Sequence, residues 1–142
     1  MSCLKRILFL CTHNSCRSQM AEGLINHELG DRFQAYSAGT EATRVNPLAA
    51  KVMNELGIDI RHHRSKTLDE YSGLSFDFVI TLCGDANETC PLFIGGVQRV
   101  HIGFDDPSHL KGREEEVLPE YRRVRDEIRE RLNAFLTGRS HE

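Results

Sequence analysis

The sequence predicts an α/β domain built on a single doubly wound, four-stranded parallel sheet with helices on both faces. Three observations predict it. Apolar residues gather in short runs, Ile7 to Leu10 and Phe76 to Leu82, which suit strands buried on both faces. Between these runs lie stretches whose apolar residues recur three or four apart, so strands alternate with helices. A length of 142 residues suffices for one compact core. No repeat, low-complexity stretch or linker divides the chain, and residues 1–142 are read as one domain. Right-handed crossovers leave few topologies for such a chain.

In order, the first strand runs through Ile7, Leu8, Phe9 and Leu10. A polar loop, Cys11 to Arg17, leads to Ser18, a residue suited to cap a helix. Met20, Leu24, Ile25 and Leu29 then recur at helical spacing, and Gly30 stands where a helix commonly stops. Ala35 to Ala38 reads as a second strand, ended by Gly39. Pro47 opens a helix with Leu48, Val52, Met53 and Leu56 on one face and Gly57 at its close. The third strand spans Phe76 to Leu82, and a fourth runs from Val97 through Val100 and Ile102 to Phe104. Leu118, Tyr121, Val124, Ile128, Leu132 and Phe135 form the apolar stripe of a C-terminal helix whose charged side chains face solvent.

Charge and composition exclude whole classes of function. With 18 Lys and Arg against 21 Asp and Glu, the net charge of −3 has the wrong sign for a nucleic-acid clamp or a polybasic membrane binder. No apolar stretch approaches the ~20 residues of a membrane span or the ~7–15 of a signal-peptide core, so a soluble, cytoplasmic protein is expected. The 5 cysteines, an odd number, form no closed disulfide framework. In a reducing compartment they are catalytic, metal-binding or small buried hydrophobes. Cys83 and Cys90 lie farther apart than the roughly two to four residues usual in a structural zinc pair, so neither a metal nor another cofactor is expected.

Ligands of doubly wound sheets bind at the carboxyl ends of the strands. Cys11, Cys83 and Asp105-Asp106-Pro107 all follow predicted strands and converge on that edge. A short loop between a buried strand and a helix N-terminus points successive backbone N–H groups inward, which makes a concave anion site. The loop residues Thr12, His13, Asn14, Ser15 and Cys16, with Arg17 and Ser18, are therefore read as the oxyanion cradle. Arg17 adds a fork for two oxygens of a tetrahedral anion. The same field, with the Ser18 hydroxyl, stabilises a Cys11 thiolate and makes it a nucleophile beneath a bound phosphorus or arsenic oxyanion. Asn14 suits a left-handed backbone position. Asp105 and Asp106 are the natural source of a general acid, since adjacent carboxylates near a thiolate disfavour full ionisation. Cys16 is read as structural in the loop, and Cys3 has no role.

Cys11-Thr12-His13-Asn14-Ser15-Cys16-Arg17-Ser18 resembles the anion loop of low-molecular-weight protein tyrosine phosphatases and of the arsenate reductases that share their fold. Gln19-Met20-Ala21-Glu22-Gly23, Tyr36-Ser37-Ala38-Gly39-Thr40, Thr81-Leu82-Cys83-Gly84-Asp85-Ala86 and Gly103-Phe104-Asp105-Asp106-Pro107 are similar to the reductases in particular. The resemblance covers nearly the whole chain, in order, and is to the thioredoxin-coupled arsenate reductase family. It implies that Cys11 attacks arsenate while Asp106, the residue before the proline, protonates the leaving oxygen. Cys83 then attacks Cys11, releasing arsenite and leaving a Cys11–Cys83 disulfide. Cys90 next attacks Cys83, and the resulting Cys83–Cys90 disulfide is reduced by thioredoxin. The segment from Gly84 to Thr89 has no hydrophobic run to pin it, as a relay that brings Cys83 to two partners in turn requires. Phosphate and sulfate are expected to compete with arsenate, and the protein is expected to be a monomer.

Three positions depart from the pattern. His13 stands where related reductases commonly have glycine, which bears on anion affinity and not on reaction class. Asn14, Glu22 and Ser37 correspond to a monovalent cation site of the family, but Lys66 replaces its acidic ligand, so little dependence on potassium is expected. Ile102 stands where related reductases carry tryptophan. One alternative is a low-molecular-weight phosphatase. It is disfavoured because Ser108 and His109 stand where those enzymes place a tyrosine, and because a phosphatase has no use for Cys83 and Cys90. The other is a thiol-based arsenic-binding or redox-sensing module, which needs neither Arg17 nor a helix-terminal anion loop.

Overall fold

A computed structural model describes residues 4–84 and 96–138, and Cys3, Asp85, Ala86, Thr89 and Cys90 lie outside them. The four strands are β1 (Lys5–Cys11), β2 (Phe33–Gly39), β3 (Phe76–Thr81) and β4 (Gly96–His101). The helices are α1 (Arg17–Glu28), α2 (Pro47–Asn54) and α3 (Glu114–Thr137), with short 3-10 helices at Leu68–Tyr71 and Pro107–His109. All strand pairs are parallel, in the order β2-β1-β3-β4. The chain leaves β1 to one side to form β2 and returns on the other side to form β3. The direction of winding thus reverses between β1 and β3, and a crevice opens beyond their carboxyl ends.

β1 is central and its side chains alternate between two apolar layers. Ile7 and Phe9 join the larger core with Met20, Leu24 and Ile25 of α1, Val52 and Met53 of α2, and Val124, Ile128 and Leu132 of α3. Leu8 and Leu10 point the other way, onto Val79, Phe76 and Tyr71, so the second face is covered by the Leu68–Tyr71 3-10 helix. Fully burying each such aliphatic side chain contributes roughly 1.5–3 kcal/mol before entropy is subtracted. Among the described residues no helix is long and apolar enough to cross a membrane.

Local chemistry sets the helix ends. Asn46 accepts from Leu48 N (2.8 Å) and Ala49 N (3.1 Å) ahead of Pro47, which starts α2. Glu114, Glu115 and Glu116 occupy the first turn of α3, and Gly138, at φ 78°, closes it. Three elements differ from the sequence reading. β2 begins earlier, at Phe33, because Lys5 to Cys11 offers it a full ladder. β4 ends at His101, although Ile102 N still bonds Thr81 O (2.9 Å) and Phe104 N bonds Leu82 O (3.1 Å). Ser18 does not cap α1. The cap is Cys16, whose carbonyl accepts from Met20 N at 3.0 Å, and the Ser18 hydroxyl is used elsewhere.

Candidate active site

The loop between β1 and α1 surrounds a cavity of about 280 Å³. Cys11, His13, Ser15, Cys16 and Arg17 line it from within, and Thr43, Asp106 and Ser108 line it from outside. Thr12, Asn14 and Ser18 stand behind this lining, and Asn14 and Ser18 are fully buried there. Asn14 has φ 49°, the left-handed conformation expected of it. Gly39, which faces Cys11 across the β1–β2 ladder, lets the loop pass directly over the sheet: a Cβ there would sit 2.7 Å from Asn14 N and Thr12 O.

Asn14 is the hub that orients the Ser18 hydroxyl toward Cys11. Its Oδ1 accepts from Lys66 N (2.8 Å) and Gln19 Nε2 (3.0 Å), which fixes its amide so that Nδ2 donates to Ser18 Oγ at 2.8 Å. Ser18 is thereby left with its own hydrogen to offer Cys11 Sγ, 2.9 Å away. Gln19 is held in turn, for its Nε2 also donates to Asn14 O (3.1 Å) and Arg64 O (3.2 Å). Its Oε1 therefore accepts, and His63 Nδ1, at 3.0 Å, carries the hydrogen. Burial pushes the His63 imidazole below its ordinary value, with the nearby Glu22 carboxylate opposing that shift.

Segments distant in sequence grip the loop backbone from outside. Glu41 N donates to Thr12 O (3.0 Å), Ser65 Oγ to His13 O (3.0 Å) and Asn46 N to Ser15 O (2.9 Å). The His13 side chain is half exposed at the mouth, with Nδ1 3.2 Å from Glu41 Oε1. Beneath the loop, Lys66 lies buried near Glu22. Ser37 Oγ donates to Glu22 Oε1 (2.5 Å) and Lys66 Nζ to Arg64 O (2.6 Å). Burial lowers the Lys66 ammonium below its ordinary value and Glu22 counters it.

Arg17 is buried, and its guanidinium reaches under the cavity to the chain beyond the other strands. Nη1 donates to Leu82 O (3.3 Å) and Phe104 O (3.2 Å), while Nη2 lies 3.4 Å from Asp106 Oδ2. Asp106 is 6% exposed, and its Oδ1 accepts from Ser108 N (3.0 Å) and Ser108 Oγ (2.6 Å). Its neighbour turns away. Asp105 pairs with Arg123 Nη2 at 3.0 Å on the surface of α3, so the two adjacent carboxylates do not face one site together, as the sequence reading had them.

Cys11, Cys16 and Cys83 are buried reduced thiols. Cys16 lines the cavity with one side and packs in the main core with the other. Burial, then the Asp106 and Cys11 charges, push its thiol well above its ordinary value, so it stays neutral beside Cys11. Cys83 follows Leu82, whose N–H donates to Leu10 O (2.9 Å), and so lies just past the carboxyl end of β3, the strand beside the one that carries Cys11. It opens into a second cavity of about 350 Å³ with His101, Arg123 and Arg131 among its walls. Cys90 falls outside the described residues. Among the described residues no cluster of His, Cys, Asp or Glu is arranged to hold a metal ion. Sequence reading missed Thr43 and His63, which carry no local signal, and gave Gln19 and Ser108 no place in the site although the resemblance touched both.

Residues 6–141 match the family model described as low molecular weight phosphotyrosine protein phosphatase. The chain is 52% identical to an arsenate reductase of Halalkalibacterium halodurans over 131 residues, 92% of this chain and 94% of that one. It is similar in structure to an arsenate reductase solved in a phosphate-binding state, with a TM-score of 0.79, 32% identity and coverage of 96% of this chain and 100% of the other. It is also similar to a thioredoxin-dependent arsenate reductase of Corynebacterium glutamicum, with a TM-score of 0.65, 26% identity and coverage of 96% of this chain and 64% of the other.

Proposed function

Because the chain belongs to the low molecular weight phosphotyrosine protein phosphatase family and stands among its arsenate reductases, we propose that it reduces arsenate to arsenite by passing two electrons through Cys11, Cys83 and Cys90. The observation that carries this reading is the placement of two thiols at the point where the winding of the sheet reverses. Cys11 lies under the anion cavity with the Ser18 hydroxyl on its sulfur, and Cys83 lies one residue beyond the Leu82–Leu10 backbone bond of the adjacent strand.

In this mechanism arsenate occupies the cradle, where loop N–H groups and Arg17 meet its charge. The Cys11 sulfur attacks arsenic, one arsenic–oxygen bond breaks, and the departing oxygen takes a proton from Asp106 and leaves as water. The Cys83 thiolate then attacks the Cys11 sulfur. The electron pair of the sulfur–arsenic bond stays on arsenic, so arsenite leaves and a Cys11–Cys83 disulfide forms. Attack of Cys90 on Cys83 returns Cys11 as a thiol and moves the disulfide to Cys83–Cys90, where a dithiol protein of the thioredoxin type reduces it. The enzyme acts as a cytoplasmic monomer, with phosphate and sulfate as competitors and weak hydrolysis of aryl phosphates as a side activity. Lys66 takes the place of a bound cation, so rates in potassium and sodium salts are equal.

The test is consumption of NADPH with arsenate, thioredoxin and thioredoxin reductase. Cys83→Ser and Cys90→Ser abolish that turnover and leave phenyl phosphate hydrolysis intact. Mass spectrometry after a single arsenate turnover finds Cys83 joined to Cys90. Loss of both activities together in either variant would overturn the relay.

A further inference from the structure

We propose that His109 is a positioning residue that acts through Asp106, passing it a proton from solvent each time the acid is spent. This rests on the reading of Asp106 as the proton donor.

Asp106 is 6% exposed and must be reprotonated once per turnover. Four donors surround its carboxyl group. Ser108 N and Ser108 Oγ occupy Oδ1, and Arg17 Nη2 and His109 Nε2 each lie 3.4 Å from Oδ2. An amide, a hydroxyl and a guanidinium do not release protons near neutral pH. Imidazole does. Of the two donors on Oδ2, His109 is the one that connects the acid to bulk water, since its side chain is 65% exposed while that of Arg17 is 2% exposed.

The turn that carries both groups makes the pairing local. Pro107–His109 is one turn of 3-10 helix that starts at Asp106, so the residue three positions on lies above the carboxyl group. At 3.4 Å a small rotation of the exposed ring closes the hydrogen bond. The transfer moves one proton from imidazolium Nε2 to Asp106 Oδ2, leaving neutral imidazole and a protonated acid, and water then recharges the ring. The groups that bear on this exchange are Arg17, on the same oxygen, the Cys16 thiol of the loop and, from α3, the Tyr121 phenol, both of which feel the Asp106 charge.

The experiment compares wild type with His109→Gln and His109→Ala in steady-state reduction of arsenate, with thioredoxin and thioredoxin reductase, in dilute buffer. Both variants are expected to slow arsenite formation about tenfold, a fraction of what a general acid contributes. The KM for arsenate does not change, because His109 is not part of the cavity lining. Added imidazole restores His109→Ala by carrying the proton itself. Unchanged rates in dilute buffer overturn the proposal, as does a loss that imidazole does not restore or one that appears in KM. If wild type does not reduce arsenate, the function proposed above fails, and the same comparison is made on phenyl phosphate, whose leaving oxygen needs the same proton. Wild type turning over neither substrate removes the acid that His109 serves and takes the proposal with it.

Discussion

The carboxyl ends of β1 and β3 each bring a cysteine to one edge of the sheet, and the chain holds the two by different means. Beyond Cys11, the loop is gripped by side chains and backbone from Glu41, Asn46, Ser65, Lys66 and Gln19, and every carbonyl from Thr12 to Ser15 accepts a hydrogen bond from a distant segment or from Gln19. At Leu82, the residue before Cys83, the chain is held by the Leu10 and Phe104 backbone and by Arg17. The difference follows from what each sulfur must meet. Cys11 faces an anion whose developing charge is stabilised by donors fixed in advance. In the proposed relay Cys83 must approach other sulfurs until Cα atoms are ~4.4–6.8 Å apart. Rigidity serves the first and proximity serves the second.

Arg17→Lys attacks both ends at once and has the largest expected effect. Lysine keeps the charge but loses the fork that reaches Leu82 O, Phe104 O and Asp106 together. Arsenate turnover in the coupled assay falls by about 100-fold or more, the scale of losing an oxyanion donor. A fall of less than tenfold breaks the view that this residue joins the two regions.

Gly84→Ala sharpens the contrast on the β3 side. A Cβ at this position lies 2.3 Å from Phe104 O, so the backbone after Cys83 must move. The expected cost is about 1–3 kcal/mol in thermal or denaturant unfolding. The folded fraction keeps its phenyl phosphate hydrolysis and loses arsenate reduction, because the Cys11 cradle is pinned independently. Equal loss of both activities joins the two ends more tightly than drawn above.

The smallest effect concerns the outer support of the cradle. Burial lowers the folded His63 value below the ~6.5 of an unfolded histidine. Between those values the unfolded chain holds more protons, so the wild-type protein gains stability as pH rises through that window and loses it as pH falls. His63→Gln removes the titration and keeps an amide donor within reach of Gln19 Oε1. Its melting temperature therefore drops by a few degrees less than that of wild type on acidification from about pH 7.5 to about pH 5.5. Parallel curves for the two proteins would remove His63 from the account of acid sensitivity.

Much of this molecule was written locally. Ile7 to Leu10 and Phe76 to Leu82 announced buried parallel strands, and the stripe from Leu118 to Phe135 announced the long helix, because burial on one face imposes a period that a short window records. The left-handed Asn14 was equally legible, since it depends on the side chain of one residue. Ser18 was misplaced as a cap for the opposite reason. Its hydroxyl has a choice between a helix N–H and the Cys11 sulfur, and Asn14 decides it.

By itself, then, the sequence determined the sheet, its parallel sense, the anion loop and the cysteine that follows each inner strand. These depend on residue types within a few positions of one another. Only the tertiary structure decided which partners complete the site. It set Thr43 and Ser108 on the cavity, Gln19 and His63 behind Asn14, and Asp106 inward while Asp105 swings out to Arg123. Contacts such as Lys66 with Asn14 or Arg17 with Phe104 join positions dozens of residues apart. They exist because the sheet's winding brings those segments to one edge, and no local periodicity carries that information.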